Sequence, residues 1–132
     1  MSVSKLNEYI RRFEDVIQSS PIIRVYEIHI DRKTEDIVYI NGRIDFEDGS
    51  TLDFKEFIAA VGIDIEKYKY AYNYRKQDSL IFRYDNALDP RARKLSSFPH
   101  HLHLPPNSIA ESLPKNIKDI LNDIEDRMIE MR

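Results

Sequence analysis

Three of the four histidines of the chain, His100, His101 and His103, lie within four consecutive positions. Imidazole is the side chain whose ordinary pKa lies nearest neutral pH, so such a group can exchange protons under physiological conditions. Two imidazoles beside one ribose phosphate could cleave RNA, one accepting the 2′-hydroxyl proton and the other protonating the leaving oxygen. This segment is therefore the first candidate for a catalytic site.

The same histidines have two other interpretations. His101 and His103 form a His-x-His pair, which in an extended segment could offer two nitrogens to Zn²⁺ or a similar ion. The imidazoles could instead bond backbone carbonyl groups and only hold a loop in place. The pattern leaves these alternatives open, and the prediction carried forward is a metal-independent site without a cofactor.

Arg83 and Asp85 end a segment that alternates apolar and polar residues, and their spacing places both on one side of a strand. An arginine beside a carboxylate can hold a phosphate and a general base, although the same pair could simply fix the loop that follows. We predict that these residues meet the histidines at one end of a sheet. The predicted catalytic residues are Arg83, Asp85, His100, His101 and His103.

A basic, tyrosine-rich segment surrounds these positions. Residues 67–103 contain eight basic and three acidic side chains, whereas residues 1–66 contain eight basic and fourteen acidic ones. Such a local excess of positive charge suits a polyanion, and tyrosines at every second position could stack on unpaired bases. Alternating tyrosines are also typical of a half-buried strand. The predicted nucleic-acid-binding residues are Lys67, Lys69, Tyr72, Tyr74, Arg75, Arg91, Arg93 and Lys94.

The elements that position these residues are predicted from hydrophobic periodicity. Apolar residues at helical spacing indicate helices at both ends, and alternation between them indicates strands joined by short polar turns. The fold prediction is α+β, an antiparallel five-stranded meander with both helices packed on one face. The predicted single domain, 1–132, contains helix 4–19, strands 22–31, 37–46, 51–58, 65–75 and 79–85, loop 86–107, and helix 113–131.

Composition excludes several classes of protein. The chain has no cysteine, so disulfide frameworks, thiolate metal sites and cysteine nucleophiles are excluded, and a reducing compartment is favoured. It has three glycines and no phosphate-binding glycine loop. Its longest apolar run, Phe57–Ile63, is far shorter than the roughly 20 residues of a membrane span. We therefore expect a cytoplasmic protein without a membrane segment.

Three blocks in order along the chain resemble the TumE-like toxins of prokaryotic type II toxin–antitoxin pairs. They are the tyrosine-rich run Tyr68–Tyr74, the block Leu80–Ala87 (LIFRYDNA) and the block Phe98–Leu104 (FPHHLHL). The stretch between the last two blocks is often rich in histidine in that family, whereas Leu88–Leu95 here is basic and contains none. The resemblance implies a toxin that a helix-turn-helix antitoxin neutralises.

Together, the residues and the resemblance predict an RNA-directed toxin, with a metal-independent ribonuclease as the expected activity. The alternative is a non-enzymatic module that binds protein or nucleic acid and uses its histidine-rich loop structurally. Acidic and basic regions in one chain also suit head-to-tail association into a homo-oligomer.

Overall fold

The computed structural model describes residues 2–131, which form two helices, a seven-stranded sheet and one short 3₁₀ helix. The helices are α1 (Ser2–Gln18) and α2 (Ile117–Glu130), and the 3₁₀ helix is Pro90–Ala92. The strands are β1 (Ile23–Arg32), β2 (Ile37–Phe46), β3 (Ser50–Val61), β4 (Asp64–Lys76), β5 (Ser79–Asp85), β6 (His101–Leu104) and β7 (Ser108–Glu111). Neither helix is both long and apolar enough to cross a membrane.

Every strand pairs antiparallel with the next one along the chain, giving the order β1-β2-β3-β4-β5-β6-β7. The α+β class is confirmed, whereas the predicted number of five strands is wrong. The two additional strands are β6, which lies inside the predicted loop 86–107, and β7, which follows it. Both are only four residues long and flanked by prolines, so alternation over a normal strand length could not reveal them.

Both helices lie on one face of the sheet, which we call the helix-covered face. The α1 residues Leu6, Ile10, Phe13 and Ile17 are buried there, and the Phe13 ring lies 5.4 Å from that of Phe54 on β3. The α2 helix begins at Ile117 instead of the expected residue 113, because Asn116 caps it. The Asn116 side chain accepts a hydrogen bond from the Asp119 backbone N–H, and the Asp119 side chain accepts one from the Asn116 N–H.

A bulge near the start of β4 changes which side chains share a face. Ile58 pairs with Lys67 and Phe57 with Lys69, so Tyr68 is an extra residue in the ladder. As a result, Lys67 joins the tyrosines on the helix-covered face, and Lys69 lies on the opposite one. The amide of Asn86 fixes this region by accepting from Tyr70 N at 2.9 Å and donating to the Tyr68 carbonyl oxygen at 3.1 Å.

On the opposite face, the open face, residues 2–131 place no helix except at the β5–β6 pair. There the segment between the two strands folds back and carries the 3₁₀ helix, whose Ala92 is completely buried. Asp89 caps this turn by accepting from Arg91 N at 2.9 Å. At the other end of the segment, Ser96 Oγ donates to Glu111 Oε1 at 2.8 Å, which ties it to β7.

Candidate active site

A carboxylate–histidine cluster, defined as Asp85, His101 and His103, lies on the open face at the β5–β6 pair. Register places Arg83 opposite His103 and Asp85 opposite His101, so alternation turns all four side chains to one side. His101 Nε2 is 2.9 Å from Asp85 Oδ1, and His103 Nε2 is 3.3 Å from Asp85 Oδ2. The two imidazole rings are nearly perpendicular, with centroids 4.7 Å apart.

Asp85 is the centre of this cluster and is 3% exposed. Arg83 Nε donates to its Oδ2 at 2.9 Å, and the Ala87 backbone N–H donates to its Oδ1 at 2.9 Å. Each carboxylate oxygen thus accepts one hydrogen bond and also faces one imidazole nitrogen. These donors make burial of the negative charge tolerable, since an unpaired buried carboxylate is very costly.

His101 is 1% exposed and uses only one of its ring nitrogens for a hydrogen bond. Its Nδ1 is 2.7 Å from the Pro99 carbonyl oxygen. A carbonyl can only accept, so Nδ1 carries a proton. Nε2 has no hydrogen-bond partner among the described residues. Asp85 Oδ1 is only 2.9 Å away, but it does not lie in the direction that a hydrogen bond with Nε2 requires.

His103 and Arg83 are the partly accessible members of the site. The His103 side chain is 19% exposed and that of Arg83 is 36% exposed. Burial lowers the pKa of His103; the Asp85 carboxylate opposes this effect, and neighbouring basic side chains add to it. A bound molecule could therefore reach His103 and Arg83 but not His101.

His100 lies on the other side of the sheet. Its Nδ1 is 2.8 Å from the Tyr70 hydroxyl, and its ring stacks on that of Tyr70 with centroids 5.8 Å apart. Burial, followed by the charge of Lys67, lowers the pKa of His100, and burial raises the pKa of Tyr70 to about 12. The structure thus brings four of the five predicted catalytic residues together and separates His100 from them.

The predicted nucleic-acid-binding residues divide between the two faces. Lys69 and Arg75 lie on the open face, where Arg75 Nε donates to Asp53 Oδ2 at 3.0 Å. Tyr72 and Tyr74 are 0% and 2% exposed beneath the helices, so neither ring has a free surface for a base. Lys67 is on their side of the sheet. The remaining three, Arg91, Arg93 and Lys94, are exposed on the segment between β5 and β6.

Two grooves on the open face meet at Arg83. The central groove, about 400 Å³, crosses strands β1 to β5 and is lined by His29, Tyr39, Asn41, Lys55, Asn73 and Arg83, among others. The end groove, about 270 Å³, includes Leu80, Arg83, His103, Leu104, Asn107 and Ser108 in its lining. Asn107 also accepts from Arg91 Nη1 at 2.9 Å, which holds Arg91 at the rim of the end groove.

Sequence reasoning missed a second buried carboxylate, Glu56, on the helix-covered face. It is completely buried, and it accepts hydrogen bonds from the Tyr9 hydroxyl and, at 2.6 Å, from the Tyr72 hydroxyl. Lys67 Nζ lies 3.9 Å from it and donates to the Lys115 carbonyl oxygen at 2.5 Å. The signal was present, because Glu56 shares its alternation with the buried residues of β3.

Comparison with known families matches residues 13–128 to the family described as Toxin TumE. This range includes the whole carboxylate–histidine cluster, Arg83 and the lining of both grooves. The resemblance predicted from the three sequence blocks is confirmed. No curated protein and no solved structure matches the chain.

Proposed function

Because the chain belongs to the TumE toxin family, it is the toxin of a toxin–antitoxin system, and we propose that its target is RNA, which it cleaves at the carboxylate–histidine cluster. The observation that carries this proposal is the position of Arg83. Its guanidinium contacts Asp85 and lines both grooves of the open face. A phosphate held there would lie next to the reacting groups, and the RNA strand could continue from it into either groove.

The open face has the features of a surface for single-stranded nucleic acid. Tyr39 and Phe57 stack with ring centroids 4.3 Å apart, and Tyr68 lies beside Phe57 at 5.8 Å. Aromatic rings of this kind offer stacking surfaces to unpaired bases of any type. Lys69 lies over the Phe57 ring and Lys55 lines the central groove, so positive charges that could contact the phosphates of the nucleic acid lie close by. These aromatics replace Tyr72 and Tyr74 as the proposed stacking residues.

The proposed reaction uses the hydroxyl that distinguishes RNA from DNA. The ribose 2′-oxygen forms a bond to the adjacent phosphorus and gives its proton to a base at the cluster. The bond from phosphorus to the 5′-oxygen of the next nucleotide breaks, and that oxygen takes a proton from solvent. Arg83 stabilises the charge that develops on the phosphoryl oxygens, a contribution typically worth a factor of about 100 or more in rate.

A cleavage assay tests this function directly. Purified protein is incubated with a labelled single-stranded RNA and with the same sequence as DNA. We expect cleavage of the RNA only, and a rate about 100-fold lower for Arg83→Ala. Arg11→Ala is the matched control, because Arg11 is an exposed arginine of α1 on the far side of the sheet.

Three results of this assay would contradict the proposal. Equal cleavage by wild type and Arg83→Ala would separate the activity from the cluster. Cleavage of DNA at the same rate would exclude attack by the 2′-hydroxyl. Binding of RNA without any cleavage would favour the alternative function, a non-enzymatic nucleic-acid-binding module in which the histidines only hold the segment between β5 and β6.

The proposed partner is an antitoxin of the helix-turn-helix type. Expression of the chain alone should stop bacterial growth, and coexpression with a helix-turn-helix protein encoded next to it should restore growth. Copurification of the two proteins would show direct neutralisation. Restoration of growth without any complex would contradict a protein antitoxin that acts by binding.

A further inference from the structure

We infer that the carboxylate–histidine cluster is a binding site for one divalent transition-metal ion of the zinc class, held by Asp85, His101 and His103. The three side chains offer one ligand atom each, and these atoms all lie within 4.8 Å of one another. The site itself does not depend on the identity of the target. Its role in cleavage, argued below, rests on the proposed function.

The buried nitrogen of His101 is the strongest reason for a cation. Its Nδ1 donates to the Pro99 carbonyl oxygen, so Nε2 is the ring nitrogen left for a cation, and Nε2 has no hydrogen-bond partner among the described residues although Asp85 Oδ1 lies 2.9 Å away. Two electron-rich atoms this close repel each other unless something positive lies beside both. A metal ion relieves this repulsion, and it would also give the orphaned Nε2 a partner.

The remaining contacts match what surrounds metal ligands in proteins. A ligating histidine usually donates its other ring N–H to a carbonyl or carboxylate, as His101 does to Pro99. A ligating carboxylate is usually hydrogen-bonded as well, and Asp85 accepts from Arg83 Nε and Ala87 N. One lone pair remains on each Asp85 oxygen after these bonds, and the oxygens lie 2.9 and 3.3 Å from the imidazole nitrogens of His101 and His103.

Spacing and ligand type favour zinc over magnesium or calcium. Ligands at about 2.1 Å from zinc in a tetrahedron stand about 3.4 Å apart. The shortest nitrogen–oxygen separations here are 2.9 Å to Asp85 Oδ1 and 3.3 Å to Asp85 Oδ2. One ligand atom from each residue fits within 4.8 Å, so modest side-chain movements would bring the three ligand atoms to the zinc spacing. Two imidazoles and one carboxylate form a ligand set of catalytic zinc sites, in which a water occupies the fourth position, whereas the hard cations prefer oxygen alone.

The fourth position would face the end groove, because His103 is the partly exposed ligand and lines that groove. Zinc lowers the pKa of a bound water to about 7, so the ion would supply a hydroxide at neutral pH. That hydroxide could accept the 2′-hydroxyl proton and become water as the P–O2′ bond forms. A pair of histidines acting as acid and base fits less well, since His101 is sealed off and His100 is on the other face.

Calorimetric titration of metal-stripped protein with Zn²⁺ tests the site without RNA. We expect one ion per chain and a rise in melting temperature on binding. His103→Ala and the volume-conserving His103→Gln should each bind Zn²⁺ at least about tenfold more weakly, since even partners of ligands cost that much. His100→Ala and His29→Ala are matched controls, because they remove histidines outside the cluster and should bind as wild type does.

A second probe distinguishes a metal site from a protonated His101 paired with Asp85. Co²⁺ in the stripped protein should give the intense visible absorption of a four-coordinate site in wild type, and this absorption should be lost in Asp85→Asn. Weak Zn²⁺ binding that is equal in wild type and both His103 variants would overturn the metal site. Cleavage unaffected by chelation would overturn its catalytic role, while Zn²⁺ binding without cleavage would overturn only the proposed function.

Discussion

Asp85 and Glu56 are buried carboxylates, and each is held by specific hydrogen-bond donors, which are close in the chain for Asp85 and distant for Glu56. Asp85 accepts hydrogen bonds from the side chain of Arg83, two residues earlier on the same strand, and from the backbone N–H of Ala87, two residues later. Glu56 instead depends on side chains from distant segments, the hydroxyls of Tyr9 and Tyr72. The polar interior of this protein should therefore respond strongly to the loss of a single donor.

Replacement of Tyr72 by phenylalanine should show this dependence. The substitution leaves Glu56 Oε2 without the donor that is now 2.6 Å away, while the packing of the ring is kept. We expect the free energy of unfolding to fall by about 1–3 kcal/mol, the usual cost of an unsatisfied buried group. Urea denaturation measures it. Tyr39→Phe on the open face is the control, and an equal effect in both variants would contradict the role of Tyr72.

Some site residues could be predicted from sequence and others could not, for identifiable reasons. Arg83 and Asp85 were predicted to share a side, since strand alternation depends only on residues close in the chain. The separation of His100 from His101 and His103 follows from its place just before β6 and from its contact with Tyr70, 30 positions away. Sequence periodicity carries no information about such a contact.

At the scale of elements, the long strands were predictable and the short ones were not. Strands β2 to β5 each carry several alternations of apolar and polar residues. The two-residue period of this alternation, together with the turn residues between the strands, therefore predicts them from sequence. β6 is defined by its pairing with β5. It has only four residues, two of which are histidines, so its sequence is too short to show an ordinary strand pattern. The bulge at Tyr68 is likewise set by pairing, and it moved Lys67 to the face where the simple alternation did not place it.

The close packing of β1, β2 and β3 requires glycine at position 42. A Cβ added there would lie 2.0 Å from the Glu27 carbonyl oxygen and 2.9 Å from Phe54 Cζ. Backbone cannot move aside cheaply, so we expect Gly42→Ala to lower the free energy of unfolding by about 3 kcal/mol. Gly49→Ala is the comparison, because Gly49 is in open space with a φ of +85° and should cost only about 1–2 kcal/mol. Urea denaturation showing the reverse order would contradict this packing argument.

At the scale of the whole molecule, the two faces of the sheet divide stability from recognition. The helix-covered face contains most of the apolar core, with Phe46, Leu52, Tyr72 and Phe82 almost fully buried. The open face instead has polar and aromatic side chains, two grooves and the carboxylate–histidine cluster. Substitutions of the exposed side chains on the open face should therefore alter binding more than folding, which makes them suitable for measuring electrostatic contributions one by one.

The salt dependence of RNA affinity should map the path of the strand across this face. Each cation that neutralises a phosphate of a single strand contributes about 0.7 to the slope of log affinity against log salt concentration. We expect Lys55→Ala and Lys69→Ala each to reduce the slope by about that amount and the double variant by twice as much. Lys118→Ala, an exposed lysine of α2 on the helix-covered face, should leave it unchanged. A slope that responds to Lys118 but not to Lys55 or Lys69 would place the RNA on the helices and would contradict binding across the open face.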